Sequence, residues 1–175
     1  MRWKSLLLCI GPLFAAAAAR FQEHTIATGL AGGYQVVIAD MNGDGRPDVI
    51  ALASNMPELV WFENPGWNRH VIVANQAHMI NCAVSATDSH GVSAMVLASE
   101  FNNNPKRSIG VVSLLRRNTN PEDPWTITEI DRIPSSHRLR TADFDGSGKR
   151  VVINSALAAG DAEPPDYRGA APLVF

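Results

Sequence analysis

The chain has 175 residues, a formal net charge of -2 and a hydrophobic share of 46%. That length suits one ordinary domain with its own core. The charge excludes a binder that works by neutralising nucleic-acid phosphates, and the apolar share excludes a disordered chain.

The first element in chain order is a leader. Arg2 and Lys4 precede an apolar run over residues 6–10 with Leu13 and Phe14, and residues 15–19 are all alanine. This order predicts a signal peptide over residues 1–19, cleaved after Ala19, and a secreted or periplasmic mature chain. The competing reading is a membrane anchor, but the apolar run is short for a span and Pro12 interrupts it. No stable membrane span is expected after cleavage. Cys9 leaves with the leader, so Cys82 stands alone and no intramolecular disulfide can form. Cys82 lies in the apolar run MINCAVSA, residues 79–86. It reads as a small core residue rather than a nucleophile.

After the leader the chain repeats a pattern. Phe21, Trp67 and Trp125 each open a segment with an isoleucine five residues on (Ile26, Ile72 and Ile130). Such alternation predicts half-buried strands. Each is followed by a strand ending in aspartate: residues 34–40, 81–88 and 139–143. Each aspartate opens a polar loop, DMNGDGRPD, DSHG or DFDGSGK, that leads into an apolar strand: residues 49–54, 94–99 and 151–157. A further strand is expected over 59–63, closed by the turn Asn64-Pro65-Gly66, with its counterpart over 110–115. No segment outside the leader has a helical period. The runs 102–105 and 118–124 read as loop insertions that lengthen the second unit.

Four short strands per unit of this length is the size of a β-propeller blade, with a β-sandwich as the competing all-β arrangement. The expected fold is all-β, a partial propeller of four-stranded antiparallel blades over residues 20–175. Two full blade units span about 34–73 and 78–131, and part of a third spans 137–175. Residues 21–27 are expected to be a strand of a closing blade. Propellers have about four to eight blades, so the chain is expected to be the front of a longer protein.

The loop after residue 39 carries the chemistry. Asp40, Asn42, Asp44 and Asp48 occupy positions 1, 3, 5 and 9 of a calcium loop, and the carbonyl of Arg46 stands at position 7. Gly45 permits the sharp turn at position 6. Hard oxygen donors suit Ca2+, with Mg2+ the alternative. An EF-hand would need a bidentate acid at position 12, where Ala51 stands, and helical flanks, where strands are expected. The bland reading is a polar turn. The loop 143–149 keeps donors at three positions, Asp143, Asp145 and Ser147, but Val151 stands at position 9. The shorter DSHG loop is expected to hold no metal. DGSGKR is no phosphate loop, because Asp143 replaces its first glycine and Arg150 its Ser or Thr.

The pattern D-x-N-x-D-G-x-x-D between strands resembles the FG-GAP or VCBS repeat of integrin-type and bacterial secreted propellers. That resemblance implies a calcium-bound propeller used for adhesion or carbohydrate contact, so the expected partner is a carbohydrate or another protein. The segments WFENPG, HRLRTADFDGSGK and AEPPDYRG are similar to the propeller of aldos-2-ulose dehydratases. This second resemblance implies the alternative function, the N-terminal part of a carbohydrate lyase. No cupin-like region accompanies it.

His24 and His70 take equivalent places in their strands, which points to a shared structural role. Trp61, Trp67 and Trp125 fall on strand positions and read as packing residues. His137 and Arg138 begin a strand expected to face a central channel, and form either a ligand contact or a surface pair. No nucleophile-elbow motif occurs.

Overall fold

The computed structural model describes residues 20–119, 123–169 and 171–174; the leader expected over 1–19 lies outside them. The protein is all-β. Its described strands are β1 (Gly33–Ala39), β2 (Asp48–Ala53), β3 (Leu59–Glu63), β4 (Asn68–Val73), β5 (Asn81–Asp88), β6 (Gly91–Ser99), β7 (Val111–Arg116), β8 (Thr126–Arg132), β9 (Ser136–Ala142), β10 (Val151–Ala156) and β11 (Leu173–Val174). Among the described residues the only helical turn is the three-residue 3-10 segment Pro105–Arg107, capped by Asn104.

The strands form three antiparallel sheets in chain order: β1-β2-β3-β4, β5-β6-β7-β8 and β9-β10-β11. Each strand pairs with its sequence neighbour, as short connections demand. The apolar runs become the second strands of the sheets; β10 is only partly covered, while β2 and β6 are buried on both faces, β6 with eight of nine residues buried. Such strands lose the period-2 pattern because neither face meets water.

The sheets stack face to face. Ile50, Leu52, Leu59 and Ile72 of the first sheet meet Cys82, Met95, Leu97 and Leu115 of the second in one cluster. Val96, Ala98 and Val112 of the second meet Leu139 of the third in another. Each such aliphatic side chain, taken fully out of water, stabilises the fold by about 1.5–3 kcal/mol. Trp125 belongs to the first cluster, and its backbone N–H donates to the Ile72 carbonyl of β4 at 3.1 Å.

The first strands of the sheets, β1, β5 and β9, lie side by side without a backbone ladder between them. Side chains bridge the gaps. Gln35 donates to the Cys82 carbonyl at 3.0 Å and accepts from the Cys82 N–H at 2.7 Å. The Asn81 side-chain oxygen accepts from Leu139 N–H at 2.7 Å, and Thr141 donates to the Val84 carbonyl at 2.6 Å. Gln35→Met keeps the bulk and removes both bonds. It leaves a buried amide and carbonyl unpaired, at roughly 1–3 kcal/mol each. Thermal unfolding is expected to show a clear drop in Tm, and a Tm equal to wild type would mean that the bridge contributes nothing.

Residues 21–27 pair with none of the described strands. They form no strand. An alternating pattern becomes a strand only where a neighbour pairs with it, and none of the described strands does. Ile26, Ala27 and Leu30 instead pack on Ala51, Val60 and Phe62 of the first sheet, together with Trp67.

Candidate metal centre

The loop between β1 and β2 is organised around Asp40. Its Oδ1 accepts the N–H of Gly43 at 2.7 Å and of Asp44 at 3.2 Å, and its Oδ2 accepts that of Gly45 at 2.9 Å. Asn42 Oδ1 accepts from Asp44 N–H at 3.1 Å, and Asp44 Oδ1 from Arg46 N–H at 2.8 Å. Gly43 and Gly45 sit at φ 77° and 82°, a region open to glycine at little cost. The chain thereby curls its backbone amides inward around the side-chain oxygens.

The loop between β9 and β10 repeats this pattern. Asp143 Oδ2 accepts from Gly148 N–H at 2.8 Å, Asp145 Oδ1 from Ser147 N–H at 3.0 Å, and Ser147 Oγ from Lys149 N–H at 3.3 Å. These are the same bonds as in the first loop: first position to sixth, third to fifth, fifth to seventh. Gly146 and Gly148, at φ 73° and 81°, match Gly43 and Gly45. The Ser147 hydroxyl and backbone N–H, with Asp143 nearby, hold the Asp145 carboxyl below the usual carboxylate range.

The middle loop is different. Asp88 accepts both Nη2 contacts of Arg117, at 2.7 and 2.8 Å, and the His90 N–H at 2.7 Å. Arg117 first, then the His90 amide, lowers the Asp88 carboxyl below its ordinary range. An internal guanidinium thus pairs with this carboxylate.

Asp48 has a role that the sequence did not reveal. It is fully buried. Its Oδ2 accepts the Met41 N–H at 2.8 Å and its Oδ1 the Asn64 N–H at 2.9 Å. It ties the loop to the turn between β3 and β4. Glu63 was not singled out by sequence either. Its Oε1 accepts from Asn42 Nδ2 at 3.1 Å, and its Oε2 lies 3.0 Å from His70 Nε2. The hairpin register that pairs Glu63 with Asn68 beside the turn was the available signal. His70 also stacks on Trp61 at 4.3 Å, across the β3–β4 pair.

Among the described residues no three His, Cys, Asp or Glu side chains gather as a metal-holding group. The donors that fit a hard cation here include an amide oxygen, a hydroxyl and a backbone carbonyl, which are not of those types. Asp40 Oδ2, Asn42 Oδ1 and Asp44 Oδ1 each accept one amide and keep a second lone pair. The donor set is all oxygen and the loop is exposed at residues 42–46. That chemistry fits calcium.

The loop also borders a cleft of about 570 Å3 between the first and second sheets, where Asn42 and Trp61 face Asp88, Arg117 and Trp125. A Cβ on Gly43 would stand 2.7 Å from the His90 backbone, and one on Gly91 would stand 2.6 Å from the Met41 carbonyl. Loop and neighbouring hairpin therefore meet backbone to backbone.

His137 and Arg138 sit on β9, where a third residue joins them. The Tyr34 hydroxyl of β1 lies 2.9 Å from His137 Nε2 and accepts from Arg138 Nη2 at 3.2 Å. Burial, then the Arg138 charge, pushes the His137 imidazole below its ordinary value. Cys82 is buried, its thiol pushed up to about 12 by desolvation, so it is no nucleophile. No protein-family model matches the chain, and neither a curated protein nor a solved structure is significantly similar to it.

Proposed function

We propose that the chain is a calcium-binding β-propeller module of the secreted FG-GAP/VCBS kind, acting as a binding or scaffold domain for a carbohydrate or another protein. One observation carries this reading. The loops 40–48 and 143–149 differ in sequence, yet share three side-chain-to-backbone bonds and two left-handed glycines. Both join the first and second strands of a sheet. A plain turn has no reason to build the same oxygen cradle twice. The blade reading draws support from three sheets stacked in chain order with their first strands side by side. It also draws support from Val36 and Ile38, which are 67% and 60% exposed on the face of the first sheet opposite the second. A further sheet would cover them.

The test is thermal unfolding of the mature chain with 1 mM calcium and with chelator. At a dissociation constant of ~10⁻⁴ M, typical of extracellular modules, calcium linkage contributes about 1.4 kcal/mol. That corresponds to a rise in Tm of roughly 3–6 °C for a domain of this size. Asp44→Ala is expected to abolish most of the rise, and Asp143→Ala less of it. Equal wild-type melting in both buffers would reject the metal.

A further inference from the structure

We infer that the inner strands bind an acidic saccharide, a sugar bearing a carboxylate, through Arg138, Arg140 and the Tyr34 hydroxyl. This inference rests on reading the chain as a binding module, and it is independent of the metal.

The charge pattern is the first reason. Arg46, Arg69, Arg117, Arg132 and Arg168 each pair with a carboxylate of the chain. Among the described residues, Arg138, Arg140 and Arg150 bond only to neutral groups. Arg138 donates to the His137 carbonyl and to Tyr34, Arg140 to the Leu139 carbonyl, and Arg150 to the carbonyl and hydroxyl of Thr141. Three guanidinium groups thus keep unused donors within one β-hairpin, in a chain whose overall charge is negative.

Placement is the second reason. Arg138 and Arg140 are alternate residues of β9, so they share a face, and both are exposed. Arg140, Thr141 and Arg150 line one side of a groove of about 360 Å3, with Gln35 and Val37 of β1 and Val84 of β5 along the rest. That volume falls in the small-molecule range of about 300–1,000 Å3. Arg138 stands at the Tyr34 end, its guanidinium 5.4 Å from the centre of the tyrosine ring.

Preorganisation is the third reason. With the imidazole neutral, the Tyr34 O–H donates to His137 Nε2 while its oxygen accepts from Arg138. Phe101 backs the imidazole at 5.3 Å. The guanidinium fork is held in place before a ligand arrives, and its geometry matches a carboxylate. The Thr141 hydroxyl, which donates to the Val84 carbonyl and accepts from Arg150, keeps one lone pair for a sugar hydroxyl, and Val37 and Val84 offer an apolar floor to the C–H face of the ring. A small inorganic anion would use only the charges.

The experiment titrates the mature chain with trigalacturonic acid, its methyl ester and inorganic phosphate by calorimetry, in calcium and in chelator. Saturable binding of the acid is expected in both buffers, at least tenfold tighter than the ester or phosphate. Arg138→Gln and Arg140→Gln should each weaken it at least tenfold, and Tyr34→Phe a few-fold, with melting temperatures near wild type because the two arginines are exposed. Absent binding of the acid, equal binding of acid and ester, phosphate binding as tightly as the acid, or full affinity in both arginine variants would overturn the inference. A failed calcium-dependent melt would leave these expected results unchanged.

Discussion

Gly110→Ala is expected to lower stability by about 4 kcal/mol, which is roughly 8–16 °C in Tm for a domain of this size. Gly110 sits just before β7 at φ 68°. A Cβ there would stand 1.8 Å from the Ile133 carbonyl oxygen and 2.7 Å from its carbon. Both obstacles are backbone, so no side chain can swing aside. The same stretch is pinned on both sides: Gly110 N–H donates to the Glu100 carbonyl at 3.2 Å, and Ile133 N–H donates to the Gly110 carbonyl at 3.0 Å. Relief of the clash must break the link between β7 and the end of β8. Gly45→Ala is the matched control. Gly45 has a similar φ of 82° but nothing within 4 Å of its Cβ site, so only the conformational cost of about 1–2 kcal/mol applies. Urea unfolding of both variants decides the matter. If Gly110→Ala is no less stable than Gly45→Ala, the close approach at Ile133 is not real.

Asp48→Ala is expected to cost about 3 kcal/mol, and to do so with calcium absent. Hydrogen bonds to a charged acceptor contribute about 1.5–3 kcal/mol each, and Asp48 accepts two. The variant leaves the Met41 amide buried without an acceptor. Asp44 is the contrast, because its oxygen accepts only the exposed Arg46 amide within the loop. In chelator, Asp44→Ala should therefore change stability by well under 1 kcal/mol, with its larger effect emerging only in calcium. Denaturant titration in chelator separates a fold-holding aspartate from a ligand-holding one. Equal losses in the two variants would show that Asp48 is not the latch between loop and turn.

Much of this architecture was legible in the chain itself. Strands end in aspartate because Asp40, Asp88 and Asp143 turn the chain with their own side chains. Gly and Asn beside an apolar run then mark the next strand, and the runs at 49–54, 94–99 and 151–157 became β2, β6 and β10 within a few residues. Residues 21–27 show what such a pattern leaves open. Alternation records that a segment has two unlike faces, but a ladder needs a second chain segment, and pairing beyond sequence neighbours leaves no local trace. Tyr34 was missed for that reason: it meets His137 across more than a hundred residues. The tie that Asp48 makes was not legible, because composition cannot tell an exposed carboxylate from a buried one. Its burial depends on Asn64 arriving from the next hairpin.

The Gln35 bridge has a wider consequence. β1 meets β5 through one glutamine, and β5 meets β9 through one asparagine and one threonine. Nothing in these seams requires two long edges to agree in register. In evolutionary terms, a four-strand unit can be duplicated, lost or exchanged by matching a handful of side chains at its inner edge. The rest of the unit is then free to diverge.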